Sequence, residues 1–140
     1  MKKVVFIGLS NKKDKEPFDK TTNSGKIINE VINHLDCKCF KINLVPYAPL
    51  NESGKLRYPT KEEIAESINY LNEQLENIKP DCIVGLGNIV NKELKKIKKY
   101  QNILICETHP SYVYVYKKRE LNQYIKNLEK KIMNQITRKE

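Results

Sequence analysis

Short, wholly apolar runs alternate along this chain with segments whose apolar residues recur at helical spacing. The first run, residues 4–7, is bounded by Gly8 and has the composition of a strand buried on both faces. Such strands occur in parallel sheets, whose right-handed crossover helices cover both faces. The sequence therefore predicts an α/β fold of three layers, α/β/α, with a four-stranded parallel sheet in the order 2-1-3-4.

The boundaries of the elements follow from turn and capping signals. The predicted strands cover residues 4–7, 37–44, 82–86 and 103–106. Ser24 is predicted to cap the first helix, which reaches about Leu35, and Thr60 begins a capping box for the second. A short basic helix follows the third strand, and the last helix begins near Arg119. Between the fourth strand and the last helix we expect a Tyr-rich loop.

The length of 140 residues is that of one domain, and we expect residues 1–140 to form it. No apolar run approaches the ~20 residues that a membrane span needs. The amino terminus looks superficially like a signal peptide, but its apolar run is too short and lacks a small-residue cleavage site. We therefore expect a cytoplasmic protein that does not bind membranes, and we expect it to be a monomer.

The formal net charge of +9 indicates an anionic partner such as nucleic acid, although a lysine-rich composition alone would produce the same charge. Four cysteines lie in or beside predicted strands, as buried thiols in a reducing compartment do: Cys37, Cys39, Cys82 and Cys106. The cluster of His34, Cys37 and Cys39 lacks the paired spacing of zinc sites. We predict no metal and no cofactor.

Ligands of open parallel sheets bind beyond the carboxyl ends of the strands, near the point where the strand order reverses. The loops at those ends contain residues 8–18, 43–47, 87–88 and 109–114. We expect these loops to surround one cleft.

Four segments in this order resemble motifs of the uracil-DNA glycosylase superfamily, and together they cover most of the chain. They are residues 4–11 with Pro17-Phe18 and 24–28, residues 41–45 around Asn43, residues 59–64 with 78–87, and His109-Pro110-Ser111-Tyr112. The resemblance implies hydrolysis of the N-glycosidic bond of uracil, or of a related deaminated base, flipped out of DNA. Four cysteines ligate a cluster in the iron–sulfur members, and the cysteines here do not reproduce that framework.

The resemblance also implies roles in base recognition. Asn43 would read the base edge, Phe18 would stack on the base, and Gly8 and Leu9 would complete the base-binding pocket. His109 would donate a hydrogen bond to the uracil oxygen as the base departs. The alternatives are an Asn that closes a strand end, a Phe that anchors a loop in the core, and a His satisfied at a strand end.

The water-positioning loop departs from the family pattern. Relatives usually place Asp or Asn two residues after the glycine that matches Gly8, where this chain has Ser10. Ser10, Asn11 and Asp14 are therefore the predicted water-positioning residues, with Asp19 as a substitute. A carboxylate in this loop would also stabilise the cationic sugar.

The same resemblance assigns DNA contacts to two later loops. Gly87, Asn88, Pro110 and Ser111 would lie against the backbone, with Ser111 bonded to a phosphate. The Tyr-rich segment from Tyr112 would supply an apolar wedge, and Lys117 and Lys118 would supply cations. Alternating Tyr and Val is equally typical of an amphipathic strand followed by a solvated charge run.

Three functions remain open from the sequence. The first is a base-excision repair glycosylase that acts on DNA. The second is a catalytically silent relative that binds DNA and recognises a flipped base, which Leu9 and Ser10 favour. The third is a nucleotide-binding domain that uses Gly85-Leu86-Gly87, although this segment lacks the third glycine and the later acid of a dinucleotide fingerprint.

Overall fold

The computed structural model describes residues 1–138 of the chain. Its elements in chain order are β1 (Lys3–Ser10), α1 (Asn23–Asn33), β2 (Lys38–Val45), α2 (Lys61–Ile78), β3 (Cys82–Leu86), α3 (Asn88–Leu94), β4 (Leu104–Glu107), α4 (Pro110–Tyr116) and α5 (Leu121–Ile136). Short 3₁₀ helices at Lys98–Ile103 and Lys118–Glu120 precede β4 and α5.

The four strands form one parallel sheet in the order β2-β1-β3-β4. This confirms the predicted fold class and strand order. Because all four strands are parallel, their carboxyl ends lie at one edge of the sheet, and the strand order reverses between β1 and β3. In the register of β1 and β2, Gly8 lies opposite Asn43.

Alternate residues of β1 enter the two cores on opposite faces of the sheet. Val4 and Phe6 pack with α1 and α5, and Val5 and Ile7 pack with α2 and α3. All four side chains are fully buried. The apolar run that the sequence displays is thus the central strand of a sheet covered on both faces.

The first helix begins before the predicted cap. Thr22, not Ser24, is the N-cap of α1, and its hydroxyl accepts a 2.9 Å hydrogen bond from the backbone N–H of Gly25. Ser24 lies buried in the first turn. The prediction was wrong because two hydroxyl residues lie close together, and only the turn held by Thr22 and Asp19 (Thr22 N to Asp19 O, 3.0 Å) selects between them.

The predicted capping box of α2 is confirmed. The hydroxyl of Thr60 accepts from the backbone N–H of Glu63, and a Glu63 carboxylate oxygen accepts from the N–H of Thr60 at 2.8 Å. The helix ends at Lys79, which adopts a left-handed conformation directly before Pro80.

The Tyr-rich segment is a helix, α4, and not a loop or a strand. Pro110 occupies its first turn, where a missing N–H costs nothing, and His109 caps it. Val113 is buried and α4 contacts α1 and α5, and this packing is what the alternating pattern did not reveal.

Within residues 1–138, the search for a helix with the length and hydropathy of a membrane span finds none. Over the same residues, no group of three or more His, Cys, Asp or Glu side chains is arranged to hold a metal ion.

Candidate active site

A cleft of about 980 Å³ opens at the carboxyl edge of the sheet. Its walls come from the loops that follow the strands, as the topology predicts. Eleven residues named from the sequence line it: Gly8, Leu9, Ser10, Phe18, Asp19, Asn43, Gly87, Asn88, His109, Ser111 and Tyr112. The other five do not: Asn11, Asp14, Pro110, Lys117 and Lys118.

Asn43 lies in β2 at the floor of the cleft, with only 5% of its surface exposed. Its Nδ2 donates a 2.6 Å hydrogen bond to Oδ1 of Asn11. A Cβ atom on Gly8 would lie 2.5 Å from Oδ1 of Asn43, so only glycine leaves room for this amide. Asn11 thereby fixes which end of the Asn43 amide carries the donor, although Asn11 does not line the cleft itself.

Phe18 belongs both to the core and to the cleft wall. Its side chain is 7% exposed and packs into the α1–α5 core, and it also lines the cleft. The backbone has a positive φ of 49°, an unfavourable conformation for a non-glycine residue. Nδ2 of Asn29 donates to the Phe18 carbonyl at 3.1 Å and holds this turn in place. The two readings of Phe18, core anchor and cleft surface, are therefore compatible.

His109 is half-buried and caps α4 at the cleft wall. Its Nδ1 accepts a 3.1 Å hydrogen bond from the backbone N–H of Ser111, and the Ser111 hydroxyl lies 2.7 Å away. Burial, together with the charge of Lys12, lowers the pKa of His109 to about 4. The imidazole is therefore neutral at physiological pH, and because Nδ1 is an acceptor, the proton resides on Nε2.

The rings of Phe18 and His109 are stacked, with centroids 6.2 Å apart and planes inclined by 26°. Gly8 contacts the same assembly, because a Cβ there would also lie 2.9 Å from the ring of Phe18. Asn43, Phe18 and His109 thus converge on one hollow from three separate segments of the chain.

Of the two carboxylates predicted for the first loop, Asp19 lines the cleft and Asp14 does not. Asp14 is exposed, has a φ of 57° and does not line the cleft. Asp19 and Glu16 do line it, and the sequence reading did not single out Glu16. Asp19 accepts hydrogen bonds from the N–H and the hydroxyl of Thr21, which lower its pKa. Ser10 also faces the cleft, from the end of β1.

α4 places an exposed aromatic pair on the rim. Tyr112 and Tyr116 are 49% and 71% exposed, and their ring centroids lie 5.0 Å apart. Lys118 turns to another side of the helix, where its Nζ lies 4.6 Å from the ring centroid of Tyr114. Lys117 is 3.9 Å from Glu120. The cationic side chains that line the cleft are instead Lys12, Lys15 and Arg57.

Another wall of the cleft comes from residues 46–59, and the sequence did not predict which of their side chains line it. Leu56, Arg57 and Tyr58 line the cleft, and Tyr58 is 76% exposed. Arg57 binds both carboxylate oxygens of Glu63, at 2.7 and 3.2 Å, and the hydroxyl of Tyr47 donates to Glu63 at 3.2 Å. These bonds, with the cap of α2, lower the pKa of Glu63 to about 2. The sequence contained one indication of this wall, because the capping box of α2 identifies Glu63, the residue that binds Arg57 and Tyr47.

The family model of the uracil DNA glycosylase superfamily matches residues 1–132. The match includes every segment that lines the cleft. The chain belongs to the uracil-DNA glycosylase superfamily.

Among solved structures, the chain is similar to wild-type SMUG2 of Pedobacter heparinus, with a TM-score of 0.73 and 17% sequence identity. The superposition covers 95% of this chain and 75% of the SMUG2 chain. At this identity the likeness establishes the fold. Among curated proteins, none matches the chain.

Proposed function

We propose that this superfamily member is a DNA glycosylase that hydrolyses the N-glycosidic bond of uracil, or of a related deaminated base, after the nucleotide is flipped out of DNA. The observation that carries the proposal is the convergence of Asn43, His109 and Phe18 on one cleft. A flipped base needs a flat surface to stack on and polar groups at its edge, and the hollow supplies both.

Asn43 reads the base edge in this proposal. One Nδ2 hydrogen is taken up by Asn11, which leaves Oδ1 and the second Nδ2 hydrogen for the ligand. Oδ1 accepts from the N3–H of uracil, and Nδ2 donates to O4. Cytosine presents the reverse pattern, an acceptor at N3 and a donor at N4, so an amide held in this orientation disfavours it.

His109 assists the departure of the base. Negative charge develops on uracil O2 as the glycosidic bond breaks, and the N–H at Nε2 of His109 donates to it. A donor fixed before the reaction stabilises that charge without reorganisation. The hydrogen bonds between Ser111 and Nδ1 keep the imidazole in the required tautomer.

The loop that follows β1 positions the attacking water in this proposal. Ser10, Asp19 and Glu16 face the cleft there, and Asn11 supports Asn43 instead. Asp19, whose pKa is lowered, carries the negative charge that stabilises a cationic sugar. Water is the only co-reactant that this hydrolysis needs.

DNA is the proposed partner, and the rim supplies its contacts. The exposed pair Tyr112 and Tyr116 fills the space that the flipped base leaves in the stack. Gly87, Asn88 and Ser111 line the cleft on the side where the phosphates of the distorted strand would pass, whereas Pro110 is buried and supports the first turn of α4. Lys117 and Lys118 act only as nearby cations, since neither lines the cleft.

The experiment is incubation of the protein with single- and double-stranded oligonucleotides that contain one uracil, followed by alkaline cleavage of abasic sites. We expect strand breaks at the uracil, and we expect Asn43→Ala to abolish them. Asn33→Ala, an exposed amide on α1, is the matched control. Binding to a uracil-containing strand without breaks would instead support the catalytically silent relative.

The nucleotide-binding alternative is disfavoured by the packing of Gly85. A Cβ at Gly85 would lie 2.0 Å from Oδ1 of Asn91, so this glycine makes room for a side chain of α3. Thermal stabilisation by NAD or ATP would be needed to restore that alternative.

A further inference from the structure

A second depression of about 430 Å³ lies beside the cleft, between α3 and the end of β4. We propose that it holds the phosphodiester backbone of the DNA strand next to the flipped nucleotide, with Lys92 and Lys95 on the phosphates. The inference rests on the proposed function and adds to it a binding surface outside the base pocket.

The depression adjoins the cleft. Asn88 and Thr108 line both, and Thr108 directly precedes His109 in the chain. The depression is therefore next to the base pocket, where it can meet the nucleotides that flank a flipped one.

The charge of the depression is positive. Lys92 of α3 and Lys95, the C-cap of that helix, line it, and neither has an acidic partner within residues 1–138. Neighbouring lysines differ, since Lys96 pairs with Glu93. Glu107, the carboxylate of the lining, is already bound by a lysine of α5. Unpaired ammonium groups in a concave surface attract phosphate.

The remaining groups suit a sugar–phosphate backbone. The side chains of Asn88 and Thr108 can donate to phosphate oxygens. Residues three apart on a helix have Cβ atoms ~5–6 Å apart, so Lys92 and Lys95 can engage neighbouring phosphates of one strand. Nδ2 of Asn91 donates to the backbone carbonyl of Glu107 at 3.1 Å, which fixes α3 against β4 and keeps the surface concave.

The test compares two double variants that remove the same charge. Lys92→Gln/Lys95→Gln alters the depression, and Lys126→Gln/Lys130→Gln alters an exposed face of α5 that lines neither cavity. The probe for affinity is a single strand with a stable tetrahydrofuran abasic-site analogue, and the probe for excision is the same strand with uracil. Single phosphates beside the site are replaced in turn by uncharged methylphosphonates.

We expect the α3 variant to bind roughly tenfold more weakly at physiological salt. The slope of log affinity against log salt should fall by about 1.4, which is ~0.7 for each of two single-strand phosphate contacts. Methylphosphonates on one side of the site should weaken the wild type and leave the α3 variant unaffected. The α5 variant should retain the wild-type slope and the wild-type methylphosphonate pattern.

Equal losses in the two double variants, or an unchanged methylphosphonate pattern in the α3 variant, would overturn the inference. If the wild type still excised uracil in that case, the proposed function would be retained and only the phosphate-binding inference would be wrong. If the wild type neither excised uracil nor bound DNA, both proposals would be wrong.

Discussion

The two edges of the sheet each carry one histidine, and the surroundings shift their pKa values in opposite directions. At the amino edge His34 follows α1, lies exposed and forms a 2.6 Å ion pair with Glu129, which raises its pKa. At the carboxyl edge His109 has no carboxylate partner within residues 1–138, and burial lowers its pKa to about 4.

Other polar groups show the same contrast. At the amino edge Asp81 accepts from the backbone N–H of Lys3 at 2.9 Å, and the Sγ atoms of Cys37 and Cys39 lie 3.6 Å apart. At the carboxyl edge, Oδ1 of Asn43 and Nε2 of His109 have no hydrogen-bond partner among the described residues. The amino-edge groups are thus satisfied within the fold, whereas these two cleft-lining groups keep free hydrogen-bonding capacity.

The largest expected effect separates the two histidines directly. His109→Ala should lower the single-turnover rate of uracil excision about 10²- to 10³-fold, since it removes a donor to the developing anion. His34→Ala should leave that rate within about twofold, because surface ion pairs contribute little to stability. Similar losses of excision rate in both variants would mean that the contrast between the two histidines is unrelated to function.

Gly8 tests the close approach at the cleft floor. Gly8→Ala places a methyl group 2.5 Å from Oδ1 of Asn43 and should cost about 1–3 kcal/mol of stability and at least tenfold in excision rate. Gly54→Ala is the control: it has open space around it but a φ of +79°, so it should cost ~1 kcal/mol and leave excision unchanged. Urea unfolding and rate measurements on both variants check this, and a fully active Gly8→Ala would contradict it.

Asn11 tests whether a fixed Asn43 amide sets the preference for uracil over cytosine. Asn11→Ala frees the amide of Asn43 to rotate, and the preference for uracil over cytosine should fall about tenfold. Asn11→Asp keeps an acceptor at the same place and should retain most of that preference. Competition between uracil- and cytosine-containing strands measures the ratio, and an unchanged ratio in Asn11→Ala would show that Asn11 does not orient the amide.

The smallest effect is a pH dependence with opposite signs at the two edges. Unfolded histidine titrates near pH 6.5 and folded His109 near pH 4, so His109 destabilises the fold as pH falls through this window. His34, whose pKa is raised, stabilises the fold below pH 6.5 and loses that contribution as pH rises through its folded pKa. NMR titration of both imidazoles checks the order, and a higher pKa for His109 than for His34 would contradict it.

The fold could be predicted because its signals are local. The apolar run of β1, the helical stripes and the capping box of Thr60 each specify one element, and the handedness of crossovers then restricts how these elements assemble. The helix α4 was not predicted, because alternating Tyr and Val has the period of a strand. The contacts of α4 with α1 and α5, together with the burial of Val113, decide that segment, and a segment of seven residues is too short for such contacts to show as a periodic pattern in the sequence.

The location of the cleft could also be predicted, but the direction of each loop side chain could not. Strand ends fix where Asn43 and His109 begin, so topology alone brings them to one edge. Asn11 and Asp14 lie in a loop, where one residue of displacement changes the partner completely. Asn11 turns to Asn43, while Asp14 turns to solvent.

The wall of residues 46–59 is tied at both ends. The backbone N–H of Asn11 donates to the Tyr47 carbonyl at 3.2 Å. The Glu63 carboxylate accepts hydrogen bonds from Tyr47, Arg57 and the cap of α2. These ties do not involve residues 48–56, so a replacement of that stretch could keep the anchors, much as interchangeable loops are grafted onto a constant frame. Replacing that stretch would therefore reshape one wall of the cleft without rebuilding the sheet beneath it.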